Sequence, residues 1–376
     1  FDPSGQAWAA YYDATNTRLL VGKYVGYGGS GCGASGSTAW TCSVVDSAAA
    51  TDLGKSASLA FSRAGVPWVS YYDTTNTNLK VAVLHTDTTT SGSGCGTGST
   101  MWDCTTVDST ANSTGTYNAI AFSAAGAAGV AYTYNTGTTA GIKYATYVGT
   151  GGTGCATAAW TCIVVDSGSA TGVDYASIQY DHADDPWIAY YDKAGTALRV
   201  GYYVGGTNGT GCGTSGSTAW TCTSVDDTGT DVGSWPYLMF GPTGVPWVSY
   251  YDTTNTALRV ATKGGGYGSA CTDIAWTCGA VDNTGSVGQY TALAADASGK
   301  IIVSYYDATN TSLRIARYVG GSSGGCTATS WDCGSVDNTG TDTGQYTSVA
   351  TAPDGNVWAT YYDVTNTSLR AAQVTR

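Results

Sequence analysis

The chain contains no glutamate: all 27 of its acidic residues are Asp. Histidine is almost as scarce, with only His85 and His182 in 376 residues, and there are just two Met, four Phe and seven Pro. Each shortage excludes something. Two isolated histidines cannot supply the paired ligands of a common zinc site. A Ser–His–Asp constellation would have to use one of them, and no G-x-S-x-G elbow accompanies either. With 15 Lys and Arg the net charge is −12, which removes the basic stripe that phosphate binding needs and argues against nucleic acid and an anionic membrane surface. No run of 18 apolar residues is present, so no membrane insertion by a helix is expected. No segment holds a sustained helical period.

A repeat takes the place of these missing features. The tripeptide Y-Y-D or a near relative recurs at Tyr11-Tyr12-Asp13, Tyr71-Tyr72-Asp73, Tyr132-Thr133-Tyr134-Asn135, Tyr190-Tyr191-Asp192, Tyr250-Tyr251-Asp252, Tyr305-Tyr306-Asp307 and Tyr361-Tyr362-Asp363, at intervals of 55–62 residues. Each copy joins two β-rich runs through an Asp/Asn/Thr turn, a hairpin signal. In the second repeat the pattern predicts strand A over Ser58 to Phe61, strand B over Val66 to Tyr72, strand C over Leu79 to Leu84 and strand D over Trp102 to Val107. Asp108 to Gly115 reads as the return to the next repeat. Strand A is built from small residues and strand B is apolar on both faces, as blades packed on two sides require.

The expected fold is therefore all-β: one domain over residues 1–376, a seven-bladed β-propeller of four-stranded antiparallel blades, with the first and last blades incomplete. The chain holds seven B and seven C strands but six D and six full A strands. That count leaves unpaired edges on which a neighbouring copy could dock, giving a homopolymer filament.

The pattern S-L-A-x-x-x-x-G-x-P-W-V-S-Y-Y-D-x-T-N-T-x-L-K/R-x-A resembles the Y-Y-D repeats of secreted bacterial proteins of the β-propeller type. The resemblance covers nearly the whole chain. It implies a propeller and leaves function open, because propellers host lectins, hydrolases and scaffolds alike.

Twelve cysteines fall into six close pairs, each at the same place in its repeat: Cys32 and Cys42, Cys95 and Cys104, Cys155 and Cys162, Cys212 and Cys222, Cys271 and Cys278, Cys326 and Cys333. This spacing reads as local disulfides, not zinc, and points to an extracellular or cell-surface location.

Three groups of residues are candidates for chemistry. Asp13, Asp73, Asp192, Asp252, Asp307 and Asp363 share one face with a strand-D series of Asp, and their oxygens could take part in binding Ca²⁺. The competing reading pairs them with the bases Lys80, Lys143, Arg199, Arg259, Arg314 and Arg370, each close to the Asp or Asn of its own hairpin. Leu20 stands at that position in repeat one, which leaves Asp13 the least neutralised. Trp40, Trp102, Trp160, Trp220, Trp276 and Trp331, two residues before the second cysteine of each pair, could stack on glycans or else pack in the core. Asn112, Asn208, Asn310 and Asn366 lie in glycosylation sequons.

A sialidase-like hydrolase is disfavoured, since such propellers use a Tyr nucleophile with a Glu partner and a convergent Arg cluster. A two-Asp glycosidase stays open because Asp pairs abound. Uniform repetition without a singular reactive site leads to the expectation of a non-catalytic secreted structural or adhesive protein, not an enzyme. Its partners would be itself or cell-surface and matrix components, and the runner-up is a multivalent lectin binding glycans. No cofactor is expected other than the calcium option.

Overall fold

The computed structural model describes residues 1–33, 36–87, 89–96, 101–168, 172–210, 212–265 and 267–374. Among them the regular structure is all β, arranged in seven antiparallel sheets, the blades of a seven-bladed β-propeller. The first sheet has three strands, Trp8–Asp13, Arg18–Tyr24 and Trp40–Asp46, and so does the last, Thr343–Thr351, Val357–Asp363 and Ser368–Val374. The other five each hold strands A to D in sequence order, and in the fifth blade the two-residue strand Ser269–Ala270 is added at the edge.

Blade two illustrates the unit: A is Leu53–Phe61, B Pro67–Asp73, C Asn78–Leu84 and D Trp102–Asp108. Strands B, C and D match the sequence reading to within a residue. Strand A starts five residues earlier than expected. Its register against B slips twice, between Leu53 and Lys55 and between Lys55 and Ser58. The same pair of bulges recurs in the A strands of blades three, five, six and seven.

By contact density the chain divides into two compact units: Phe1–Gly172 with His182–Pro186 and Tyr203–Thr221, and Val173–Asp181 with Trp187–Tyr202 and Cys222–Arg376. Within each unit the A strands of successive blades lie against one another, whereas D strands scarcely meet. Strand A is therefore the inner strand. Val, Leu and Tyr of strands B and C fill the space between blades, with Leu79, Val81, Val130 and Tyr132 in one cluster of the first unit and Leu258, Val260, Val303 and Tyr305 in one of the second.

The disulfides form as expected. Cys32–Cys42, Cys95–Cys104, Cys155–Cys162, Cys271–Cys278 and Cys326–Cys333 are bonded, Cys212 and Cys222 are also disulfide-bonded, and no free cysteine is found among the described residues. Six disulfides fit a secreted or extracellular protein. No helix among the described residues is long and apolar enough to cross a membrane.

Candidate functional site

The strand-D carboxylates are interior groups. Hairpin register sets Lys80 opposite Tyr71, two residues from Asp73. Both side chains converge on the preceding blade: the Tyr71 hydroxyl donates to Asp46 Oδ2 at 2.5 Å, and Lys80 Nζ lies 2.5 Å from the same oxygen. Tyr132 and Lys143 meet Asp108 at 2.7 and 2.8 Å. Tyr250 and Arg259 meet Asp226 at 2.6 and 3.1 Å, Tyr305 and Arg314 meet Asp282 at 2.7 and 3.1 Å, and Tyr361 and Arg370 meet Asp337 at 2.8 and 3.0 Å.

The expected pairing of each base with its own hairpin is thus corrected for Lys80 and Lys143, whose single point charge goes to the buried Asp of the blade before. The longer, forked arginines reach both: Arg259, Arg314 and Arg370 also hold Asp252, Asp307 and Asp363 at 3.5, 3.3 and 2.7 Å. Arg199 lies 3.5 Å from Asp192. In repeat one Arg18 replaces the missing base and pairs with Asp13 at 2.9 Å, so Asp13 is neutralised after all.

The proposed cation face is occupied by the protein's own donors. Asp73, Asp252, Asp307 and Asp363 each accept from the backbone N–H and Nδ2 of Asn76, Asn255, Asn310 or Asn366 at 2.8–3.0 Å. Asp13 holds Asn16 in the same way, and Asp192 accepts from the N–H groups of Ala194 and Gly195. Among the described residues no group of three or more His, Cys or Asp side chains could hold a metal ion. Of the sequons, Asn310 and Asn366 are committed to these turns and Asn112 donates to the Thr136 carbonyl at 2.8 Å, while Asn208 is exposed.

The cysteine-linked tryptophans are corrected as glycan platforms. Trp102, Trp160, Trp220, Trp276 and Trp331 are at most 2 % exposed, sealed between blades and unable to meet a sugar. Burying each one removes about 150–250 Å² of surface, a gross gain of about 5 kcal/mol. Trp40 is half-buried, edge-on to Tyr24.

A different aromatic series keeps rings partly exposed, and reading the sequence for strands missed it. In the A strands of blades two to seven one non-glycine residue each takes left-handed backbone, at the second bulge in blades two, three, five, six and seven: Ser56 (φ 53°), Tyr117 (48°), Tyr175 (60°), Trp235 (49°), Tyr290 (54°) and Tyr346 (51°). Left-handed backbone is costly for a large side chain, on the order of 1–2 kcal/mol each. Glycine would avoid that cost, and the bulge instead re-aims an aromatic ring. In the second unit the rings run in succession, with centroids 5.2 Å apart from Tyr175 to Trp235, 4.8 Å from Trp235 to Tyr290 and 4.4 Å from Tyr290 to Tyr346. Tyr175, Trp235 and Tyr290 are half-buried, and Tyr346 is 68 % exposed.

The sequence signal at this position is G-x-[YW], as in Gly115-Thr116-Tyr117, Gly233-Ser234-Trp235, Gly288-Gln289-Tyr290 and Gly344-Gln345-Tyr346, whereas Tyr175 follows Val173-Asp174. The glycine has its own reason. At Gly288 (φ 105°) a Cβ would stand 2.5 Å from the Leu258 Cα of the preceding blade, so a side chain would drive the two blades apart.

Polar groups border the arc. In the second unit the second tyrosine of a Y-Y-D meets the residue just before the next strand A: Tyr191 donates to Asp231 at 2.7 Å and Tyr306 to Asp342 at 2.8 Å, with Tyr251 and the Ser286 hydroxyl 3.3 Å apart. Burial and the bond to Asp342 push the Tyr306 hydroxyl up to about 12. Burial and Tyr346 likewise raise Tyr290, and burial and Asp231 raise Tyr191. Half-buried Asp174, Gln289 and Gln345 occupy the x positions beside the rings. No ion pair to a base is found for Asp231 or Asp342 among the described residues, in contrast to the turn carboxylates Asp192, Asp252, Asp307 and Asp363. The first unit carries a variant of the motif: Tyr12 donates to Asp52 at 2.7 Å, and Lys55 Nζ is 2.6 Å from the same carboxylate.

His85 has its own cluster in the first unit, beside a cavity of 440 Å³ lined by Val66, Trp68 and Leu84. Its Nδ1 lies 2.6 Å from Asp103 and its Nε2 2.9 Å from the Thr90 hydroxyl. That hydroxyl also donates to Asp87 at 2.9 Å.

No protein-family profile and no curated protein sequence matches the chain. Solved structures do. The GH93 α-L-arabinofuranosidase of Fusarium graminearum in complex with arabinobiose is similar at 12 % identity and TM-score 0.51, over 85 % of this chain and 92 % of that one. The α-L-arabinanase of Penicillium chrysogenum complexed with arabinobiose matches at 11 % identity and TM-score 0.52, over the same shares. The polysaccharide lyase Uly1 matches at 10 % identity and TM-score 0.53, over 98 % of this chain and 87 % of that chain.

At such identities the likeness establishes the propeller fold. It also overturns the expectation of a non-catalytic structural, adhesive or filament-forming protein that is not an enzyme, because these neighbours are carbohydrate-active enzymes. The physical error lay in treating uniform repeats as proof that no singular site exists. Uniformity holds where blades pack. At the x positions of strand A the blades differ, with Lys55, Thr116, Asp174, Ser234, Gln289 and Gln345.

Proposed function

We propose that the protein is a secreted carbohydrate-active enzyme of the Y-Y-D-repeat propeller type, which holds a glycan along the arc Tyr175–Trp235–Tyr290–Tyr346. The observation that carries this reading is the repeated placement of a half-exposed aromatic on unfavourable left-handed backbone at one position of successive inner strands. Aromatic faces bind the apolar C–H faces of sugar rings, while Gln289, Gln345 and Asp174 beside them match sugar hydroxyls. Asp231 and Asp342 would supply the chemistry. They are carboxylates without a cationic partner among the described residues, they stand at the border of the arc in blades five and seven, and either is available as an acid or base for cleavage of a glycosidic bond. The fold neighbours that act on arabinan-type and other polysaccharides support the same class.

The test is incubation with a panel of polysaccharides, with released product followed by reducing-end assay and by mass spectrometry. Product from at least one polysaccharide, abolished in Asp231→Asn or Asp342→Asn, supports the reading. Binding without product from any of the panel would overturn its catalytic part.

A further inference from the structure

We infer that the glycan held by the arc is uncharged, and not a uronate, sulfated or sialylated chain. This rests on the arc being the glycan site and adds the class of glycan.

Recognition of a carboxylate or sulfate needs a guanidinium or ammonium free to face it, as a bidentate fork or a point charge. Among the described residues the second unit holds few bases, and those near the arc are engaged. Lys193 pairs with Asp174 at 3.2 Å. Arg259, Arg314 and Arg370 each lie between two carboxylates, one in the preceding blade and one in their own hairpin. Arg199 stands over the Tyr190 ring and beside Asp192. Lys263 and Arg317 belong to the opposite ends of their strands, where Lys263 covers the Trp187 and Tyr202 rings and Arg317 pairs with Asp296. Lys300 lies at the start of a B strand, at that same far end.

Withdrawing an arginine from its buried carboxylates would leave those charges unpaired in the interior, which is strongly unfavourable. An acidic sugar is therefore not served by rearrangement of the arginines, and the more exposed Lys193 is already matched by the Asp174 carboxylate. The border of the arc, meanwhile, is anionic. Asp174, Asp231 and Asp342 all lie on it, and the charges acting on Tyr191 and Tyr306 are those of carboxylates. The net charge of −12 extends the repulsion of a polyanion to long range. For an uncharged chain the same groups are useful, because carboxylates and Gln amides accept and donate to hydroxyls without needing an ion pair.

The test compares binding of neutral polysaccharides (arabinan, xylan and mixed-linkage β-glucan) with that of polygalacturonate, alginate and heparin, by affinity electrophoresis at low and high salt. Wild type should be retarded by at least one neutral chain at both salt levels, and by none of the polyanions at low salt. Tyr346→Ala, at an exposed position, should lose about tenfold or more of the neutral affinity, the equivalent of one good stacking contact. Asp342→Lys should gain polyanion binding at low salt. Retardation of wild type by a polyanion that Tyr346→Ala abolishes would overturn the neutral-glycan inference and leave the site standing. Binding of any chain that is indifferent to Tyr346→Ala would remove the site, and the inference with it.

Discussion

The Tyr250 hydroxyl reaches across from its own blade to donate to Asp226 of the preceding one, 2.6 Å away, and Arg259 closes on the same oxygen at 3.1 Å. This three-residue joint, repeated along the chain, makes the Y-Y-D motif a device for joining blades. Tyr250→Phe should cost about 1.5–3 kcal/mol, the worth of a hydrogen bond to a charged acceptor. Arg259→Met, which leaves both Asp226 and Asp252 buried without their cation, should cost more, about 3–5 kcal/mol. Urea unfolding of the two variants gives the comparison. Equal and small losses would mean that the joint is incidental to stability.

The joints also set the pH range of stability. Burial opposes the charge of Asp108, but hydrogen bonds from Lys143, Thr110 and Tyr132 outweigh it and lower the carboxyl below its ordinary 3.8. Asp337 is lowered too, by Tyr361, Thr339 and Arg370 against its own desolvation. A lowered carboxyl contributes stability that is present above the unfolded value and lost as pH falls through the folded one. Tyr132, Tyr250 and Tyr305 are raised well above 10, by burial first and by the neighbouring Asp next. Their contribution is present below the unfolded value and lost as pH climbs through the folded one. Melting temperature should therefore be flat between roughly pH 4 and pH 10 and fall on both sides. A steady slope across neutral pH would contradict this.

Much of this architecture was legible in the sequence. The 55–62-residue period, the hairpins and the cysteine pairs lead to blades, strand order and disulfides, because each is a local signal repeated seven or six times. The inner half of strand A was not legible. Gly115 reads as part of the return after Asp108, and Gly288, Gln289 and Tyr290 match no strand pattern, since glycine and two bulges break the period-2 alternation by which a strand is recognised. The partners of Lys80 and Lys143 were hidden for another reason: they lie one blade away, and hairpin spacing alone cannot report a contact between sheets. In the sequence the tryptophans stay open between core packing and glycan stacking, since a Trp beside a Gly-rich loop reads the same whether the loop covers it or not, and burial decides for the core at five of the six.

Removing one disulfide should have a local, modest effect. Cys155 and Cys162 close a loop of sequence separation 7. Replacing both by Ser should cost about 2–3 kcal/mol on the chain-entropy account. Calorimetry of the double variant tests this, and a collapse of the whole fold would show that the loops carry more than local order.

The arc predicts a conflict between stability and function. Tyr346→Gly releases a ring from left-handed backbone at an exposed site, so stability should hold or rise by up to about 1 kcal/mol while glycan affinity falls. Paired thermal and binding measurements decide it. A clear loss of stability would mean that the ring is there for packing alone.

The central claim is best tested by a crystal structure of the protein with the oligosaccharide that wild type binds most tightly. The account predicts sugar rings seated on Tyr290 and Tyr346, with hydroxyls bonded to Gln345 and Asp342. Sugar bound instead in the His85 cavity or on the disulfide loops, with the arc bare, would contradict it.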